Sequence, residues 1–264
     1  MQSSKYARRI ASAVATTLAC GALMAGTANA TPVPRPGQAH AGVAAPHSSV
    51  AATVPAGIPG LDVSGWQENV DWDAVKANGA KFAFIKATES TDYRSGEFDQ
   101  QWNGSYRVGL LHAAYHYATP DSASGTAQAD FFVDNGGGQT GDGRTLPGVL
   151  DIEDNVYGPD KCYGFTSDQM VSWIHDFVDE YHARTGWWAT INTFTEWWND
   201  CTGGSTEFAA HDALWINNHG DSPGTLPAGW KTYFVWQWAD TGVFPGDQDV
   251  MNPEALKRLL RTRH

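Results

Sequence analysis

The chain has 264 residues, 42% of them hydrophobic, with 12 tryptophans, only 3 cysteines and a formal net charge of −12. This composition excludes a disordered chain, a collagen and a disulfide-packed miniprotein. The negative balance excludes the basic footprint of a nucleic-acid binder.

Residues 1–30 read as a secretory signal peptide. Lys5, Arg8 and Arg9 precede an Ala-rich apolar stretch from Ile10 to Ala25, and Ala28-Asn29-Ala30 forms an A-x-A cleavage site. A membrane anchor is the competing reading. Ser, Thr and Gly interrupt the stretch, and nothing later is long and apolar enough to span a bilayer, so a secreted, extracellular chain without a membrane anchor is expected. Its removal takes three positive charges and no acid, which leaves −15. Residues 31–57 are rich in Pro, Ala and Ser, lack acids and aromatics, and read as a flexible leader. Residues 58–264 hold all twelve tryptophans and read as one domain. Cys20 lies in the signal segment. An extracellular setting and an even count pair Cys162 with Cys201, against the alternative of two free thiols. That bridge would be worth roughly 3–4 kcal/mol.

Strands are expected at Gly60–Ser64, Phe82–Lys86, Leu111–Tyr117, Gly148–Glu153, Trp188–Asn192, Ala213–Asn217 and Tyr233–Trp238. Helices are expected at Val70–Ala77, Phe98–Val108, Ala123–Val133, Ser167–Arg184 and Pro253–Arg261, the last with Asn252 as cap and Pro253 in its first turn. This alternation predicts an α/β fold with a mostly parallel sheet. About eight strands in this length suit an irregular (β/α) TIM-like barrel with some helices shortened or missing. An open doubly wound sheet is the rival. No G-x-G-x-x-G or P-loop follows an early strand.

In a barrel, the C-terminal strand ends meet at one face. Polar residues gather there: Asp62, Lys86, Glu89, His116, Asp151, Glu153, Asp154, Asn192, Asn217 and Gln237, with Asp247 and Asp249 after the last strand. Asp151 and Glu153, two apart on a strand, share a face with Cα atoms about 6.6 Å apart. Two like charges in one pocket raise one pKa, which keeps a carboxylic acid ready to protonate a glycosidic oxygen. Asp62 and Asp247 would keep Glu153 protonated or stabilise a cationic transition state. A calcium site, or a strand end facing water, would show the same D-x-E pair.

Phe82, Phe84, Trp173, Phe177 and Phe234 are expected in the core. Trp66, Tyr93, Tyr115, Tyr117, Trp187, Trp188, Trp197, Trp198, Trp215, Trp236 and Trp238 sit at strand ends or in loops, where aromatic faces stack on sugars. A core built of large side chains is the plainer account. His112 and His116 are about 13 Å apart on a strand, too far to share a metal. His116 then serves as a hydrogen-bonding partner in the site or as a satisfied structural histidine. No metal site or thiol nucleophile is expected.

Leu61-Asp62-Val63-Ser64-Gly65-Trp66-Gln67, Phe84-Ile85-Lys86-Ala87-Thr88-Glu89, Ala114-Tyr115-His116-Tyr117, Leu150-Asp151-Ile152-Glu153, Leu214-Trp215-Ile216, Trp236-Gln237-Trp238 and Asp247-Gln248-Asp249-Val250 stand in one order. Together they resemble the glycoside hydrolase family 25 lysozymes, the Chalaropsis-type muramidases, from about Ile58 to Arg261. The resemblance implies a glycoside hydrolase catalytic domain. It implies cleavage of the β-1,4 bond between N-acetylmuramic acid and N-acetylglucosamine in peptidoglycan glycan strands, with no cofactor. By that likeness Glu153 is the general acid and later the base, and Asp151 assists at the acetamido group or stabilises the positive centre. Asp62 and Asp247 complete the acidic cluster. Lys86, Glu89, Tyr115, His116, Tyr117, Asn192, Trp215, Asn217, Gln237 and Trp238 are the expected substrate-binding residues. The chain is expected to act as a monomer, with net retention. Asn192, Asn217 and His219 depart from the residues members often carry there, Tyr, Ala and Tyr. The alternatives are a chitinase-like hexosaminidase and a non-catalytic wall-glycan lectin. A chitinase would want a longer D-x-x-D-x-D-x-E run, and Thr145–Leu150 carries no acid. A lectin would have no need of all four carboxylates.

Overall fold

The structure is a computed structural model that describes residues 54–138 and 140–261. The predicted signal peptide, with Cys20, and leader residues 31–53 lie outside the described residues.

Nine strands form one sheet. They are β1 (Ile58–Val63), β2 (Phe82–Glu89), β3 (Tyr93–Arg94), β4 (Leu111–Tyr117), β5 (Val149–Asp151), β6 (Thr190–Thr193), β7 (Ala213–Asn217), β8 (Val235–Ala239) and β9 (Asp247–Met251). Parallel ladders run from β1 through β2, β4, β5, β6 and β7 to β8. The last strand, β9, lies antiparallel between β8 and β1 and closes an eight-stranded barrel. Two-residue β3 hangs on the edge of β2 outside that ring. Six helices accompany the strands: α1 (Trp72–Ala77), α2 (Phe98–Arg107), α3 (Gly125–Phe132), α4 (Ser167–Thr185), α5 (Thr195–Thr202) and α6 (Pro253–Arg261). The irregular barrel is therefore the observed fold, not the open sheet. Among the described residues no helix is long and apolar enough to cross a membrane.

Strands buried on both faces divide their side chains between two cores. One face fills the barrel with Phe82, Phe84, Tyr115, Val149, Trp215 and Met251. The other packs Leu61, Ile85, Leu150, Ile191 and Trp236 against Trp173, Phe177 and Tyr181 of α4. The helix α4 begins in a capping box between Thr166 and Gln169 and ends at Gly186 in the left-handed conformation. Gly125 opens α3 where a Cβ would lie 2.2 Å from the Trp173 carbonyl oxygen, so only glycine allows this approach of α3 to α4.

Three local expectations need correction. The strand predicted over Gly148–Glu153 ends at Asp151, and Glu153 lies just beyond it. One further ladder bond, from Ile152 N to Asn192 O, carries the chain toward Glu153. Asp247 and Asp249 do not follow the last strand; they are its alternate residues. Their acidity hid the strand, because the apolar signature of β9 is confined to its end. The helix α5, with buried Trp197 and Trp198, was not foreseen. Cys201 lies on α5 and is bonded to Cys162, as expected.

Candidate active site

The acids converge because β9 runs backwards. In a parallel strand the C-terminal end reaches the site, whereas β9 brings its first residue there. The register sets Asp247 beside Asp62. At Gly246 the chain enters β9 with φ +76°, and a Cβ there would lie 2.2 Å from the Asp62 carbonyl oxygen. A side chain at this turn would push Asp247 off Asp62.

Gln237 of β8 ties these acids together. Its Nε2 donates to Asp62 Oδ2 at 2.8 Å and to Asp247 Oδ2 at 3.1 Å. Below them Asp249 Oδ1 accepts from the Trp215 indole N–H at 3.1 Å. Asp249 Oδ2 meets no donor, and Asp62 is its neighbouring carboxyl. A proton shared between these two acids satisfies both. Burial pushes Asp62 up to about 6, against the hydrogen bonds from Gln237 and Asp249. Burial likewise raises Asp151 to about 8 and Asp247 to about 9, with Asp62 adding to each. Glu153 and Asp249 are held well above the carboxylate range by burial and then by neighbouring acids.

One cation faces this cluster. Lys86 Nζ donates to Glu89 Oε2 at 2.7 Å, and both side chains are fully buried. The ammonium sits 4.6 Å from the Tyr117 ring centroid. It lowers the pKa of both Asp151 and Glu153. Three buried acceptors, Asp151 Oδ1, Asn217 Oδ1 and Asp247 Oδ1, have no donor in the protein. Buried acceptors are rarely left so, and O–H or N–H groups of a ligand at this end of the barrel would satisfy them.

The family model for glycosyl hydrolases family 25 matches residues 61–247. The chain belongs to glycosyl hydrolase family 25. Lysozyme M1 of Streptomyces globisporus is 44% identical over 208 residues, 77% of this chain and 70% of that protein. The N,O-diacetylmuramidase of Chalaropsis sp. is 39% identical over 76% of this chain and 98% of its own. The solved structure of a muramidase from Acremonium alcalophilum superposes with a TM-score of 0.74 at 48% identity. That match covers 76% of this chain and 96% of the other.

In this family 25 enzyme the side chains of Asp62, Lys86, Asp151, Glu153, Gln237 and Asp247 meet at one end of the barrel, tied by the hydrogen bonds and charge interactions above. Asn192 and Asn217 occupy the same end of β6 and β7. Tyr115 and Trp215 form the floor beneath the acids, both buried, with the Trp215 N–H committed to Asp249. Two predicted binding residues point away from the acid cluster. His116 points out of the barrel between sheet and helices; its Nδ1 pairs with Thr88 Oγ1 and its Nε2 with Gln128 Oε1 of α3. Flanked by inward Tyr115 and Tyr117, it takes the opposite face. Trp238 joins Trp236 in the outer core for the same reason, opposite Gln237.

The aromatic rim is mostly core as well. Trp197, Trp198, Trp215 and Trp236 are at most 3% exposed, and each indole N–H has its acceptor inside the protein. Trp66, directly after β1, is exposed, and Trp188 stacks between His182 and His211. Two site residues escaped the sequence reading. Asp249 was placed at a strand end without a part in the cluster, although the D-x-D alternation of Asp247 and Asp249 signals a shared face. Tyr157, beyond β5, reaches the cluster through its hydroxyl, which donates to Glu89 Oε1 at 2.5 Å, and no motif in the sequence marks it.

The raised carboxyls fix a pH dependence of stability. A folded carboxyl held above its ordinary value keeps a proton that the unfolded chain releases, so stability falls as pH rises toward the folded pKa. His112 and His116, lowered to about 4 and about 3 by burial, act in the opposite sense, but only below about pH 6.5. Above pH 6.5 only Lys86, whose pKa burial lowers, opposes the raised acids, which outnumber it, so between pH 6.5 and 9 the thermal midpoint is expected to fall, with D151N/D247N flattening the decline. A midpoint that rises across this range contradicts the protonated cluster.

Proposed function

We propose that this chain is a secreted, monomeric muramidase. Its catalytic domain, residues 58–264, hydrolyses the β-1,4 bond between N-acetylmuramic acid and N-acetylglucosamine in peptidoglycan. The observation that carries the reading is Glu153, held protonated beside an Asp151 whose Oδ1 has no donor. Family membership and relatives named lysozyme and muramidase support it.

Glu153 gives its proton to the glycosidic oxygen as the bond to the anomeric carbon breaks. The acetamido carbonyl oxygen of the sugar closes on that carbon, and Asp151 Oδ1 accepts the acetamido N–H. Asp62, the acid with the lowest pKa among the raised carboxyls, carries negative charge at neutral pH and stabilises the developing cation, while Asp247, raised to about 9, stays protonated beside it. Glu153, now a carboxylate, takes a proton from water as the water oxygen bonds to the anomeric carbon from the face the leaving group left; the bond to the acetamido oxygen breaks, and the product keeps its configuration. Lys86, Glu89, Tyr117, Asn192, Asn217 and Gln237 line the place of the sugar.

Borohydride reduction of digested peptidoglycan tests this reading. Reduced muramic acid at the new ends is expected. Reduced glucosamine would favour the chitinase-like alternative, and no new ends would leave a lectin.

A further inference from the structure

The segment between β5 and α4 lies beside the acid cluster and is fastened to it. The Cys162–Cys201 bridge holds it to α5. The Tyr163 hydroxyl donates to Ala118 O at 3.2 Å, and the Tyr117 hydroxyl donates to Asp154 O at 3.3 Å. Tyr157 is the unusual member. Its side chain is half exposed, yet its hydroxyl donates to the buried Glu89 Oε1 at 2.5 Å. The other oxygen of Glu89 accepts from Lys86 at 2.7 Å. A continuous chain thus runs from an exposed phenol through Glu89 to Lys86, the cation facing Asp151 and Glu153.

We propose that Tyr157 is a positioning residue that fixes the Lys86–Glu89 pair beside Asp151 and Glu153 and thereby sets the pH range in which the enzyme works. This rests on Glu153 as the acid. A hydroxyl donated to a carboxylate favours its charged form. Held between the Lys86 ammonium and the Tyr157 hydroxyl, Glu89 opposes the field of Lys86 where it reaches Asp151. The groups facing the pair are Tyr93 on β3, Tyr117 on β4, Asp151 on β5, and Glu153 and Tyr157 beyond it. None but Lys86 is a cation, so weakening Glu89 leaves the lysine field less opposed. Asp151 and Glu153 then release their protons at lower pH.

The test is the pH profile of kcat/KM for Y157F in the full chain, on purified peptidoglycan. The alkaline limb is expected to move toward acid by about half a unit, with KM changed less than about twofold. E89Q, which removes the charge itself, should move the limb the same way and further, and E89Q/Y157F no further than E89Q. A loop that merely loosens would raise KM and lower the thermal midpoint with the limb in place. That result, or a profile superimposable on the unaltered enzyme, overturns the proposal. Failure of the unaltered enzyme to produce muramic acid ends overturns the functional reading instead.

Discussion

Replacing Glu153 by Gln is expected to lower peptidoglycan hydrolysis by about 10²- to 10⁴-fold, the usual contribution of a positioned proton donor. Gln matches Glu in shape and can accept and donate hydrogen bonds, but it has no proton to give a leaving oxygen. Because burial and neighbouring acids hold Glu153 neutral, the substitution removes no charge from the folded protein at neutral pH. The thermal midpoint at pH 7 should therefore stay within a degree or two of the unaltered enzyme, or rise. Chemical denaturation and reducing-end release on one preparation separate the two effects. Hydrolysis within a few-fold of the unaltered enzyme would remove Glu153 from the chemistry and with it the proposed function.

The second large effect is on stability. Lys86→Met should destabilise the fold by about 3–5 kcal/mol, because it leaves the Glu89 carboxylate fully buried without its cation. The double variant K86M/E89M should recover most of that loss, since replacing both partners by apolar groups leaves no buried charge unopposed. Urea unfolding at pH 7 reads both. A deficit below about 1 kcal/mol at pH 7 would mean that water reaches the pair.

The barrel and most of its strands were legible because alternating apolar runs and helical stretches carry their own periods. Side-chain alternation follows the strand period, with Trp236 and Trp238 opposite Gln237. What alternation cannot tell is which face is which. In parallel strands buried on both sides both faces are apolar, so neither the strand position of His116 and Trp238 nor the resemblance tells which face they take. The structure puts the acid cluster on the side of Tyr115, Tyr117 and Gln237. The same ambiguity made a sugar platform of tryptophans that are core. The strand β9 was missed for the opposite reason: its inner face, Asp247 and Asp249, is polar because it lines the acid centre.

Closure of the barrel has a consequence for biosynthesis. The partner that completes the ring beside β1 is β9, about 185 residues later in the chain. Asp62 emerges early from the ribosome and Asp247 and Asp249 almost last. Until β9 docks, Asp62 lacks two of its carboxyl neighbours, and β1 and β8 have open edges. A nascent chain therefore has no assembled acid centre, and a product truncated before Asp247 would be inert however well its earlier strands had paired.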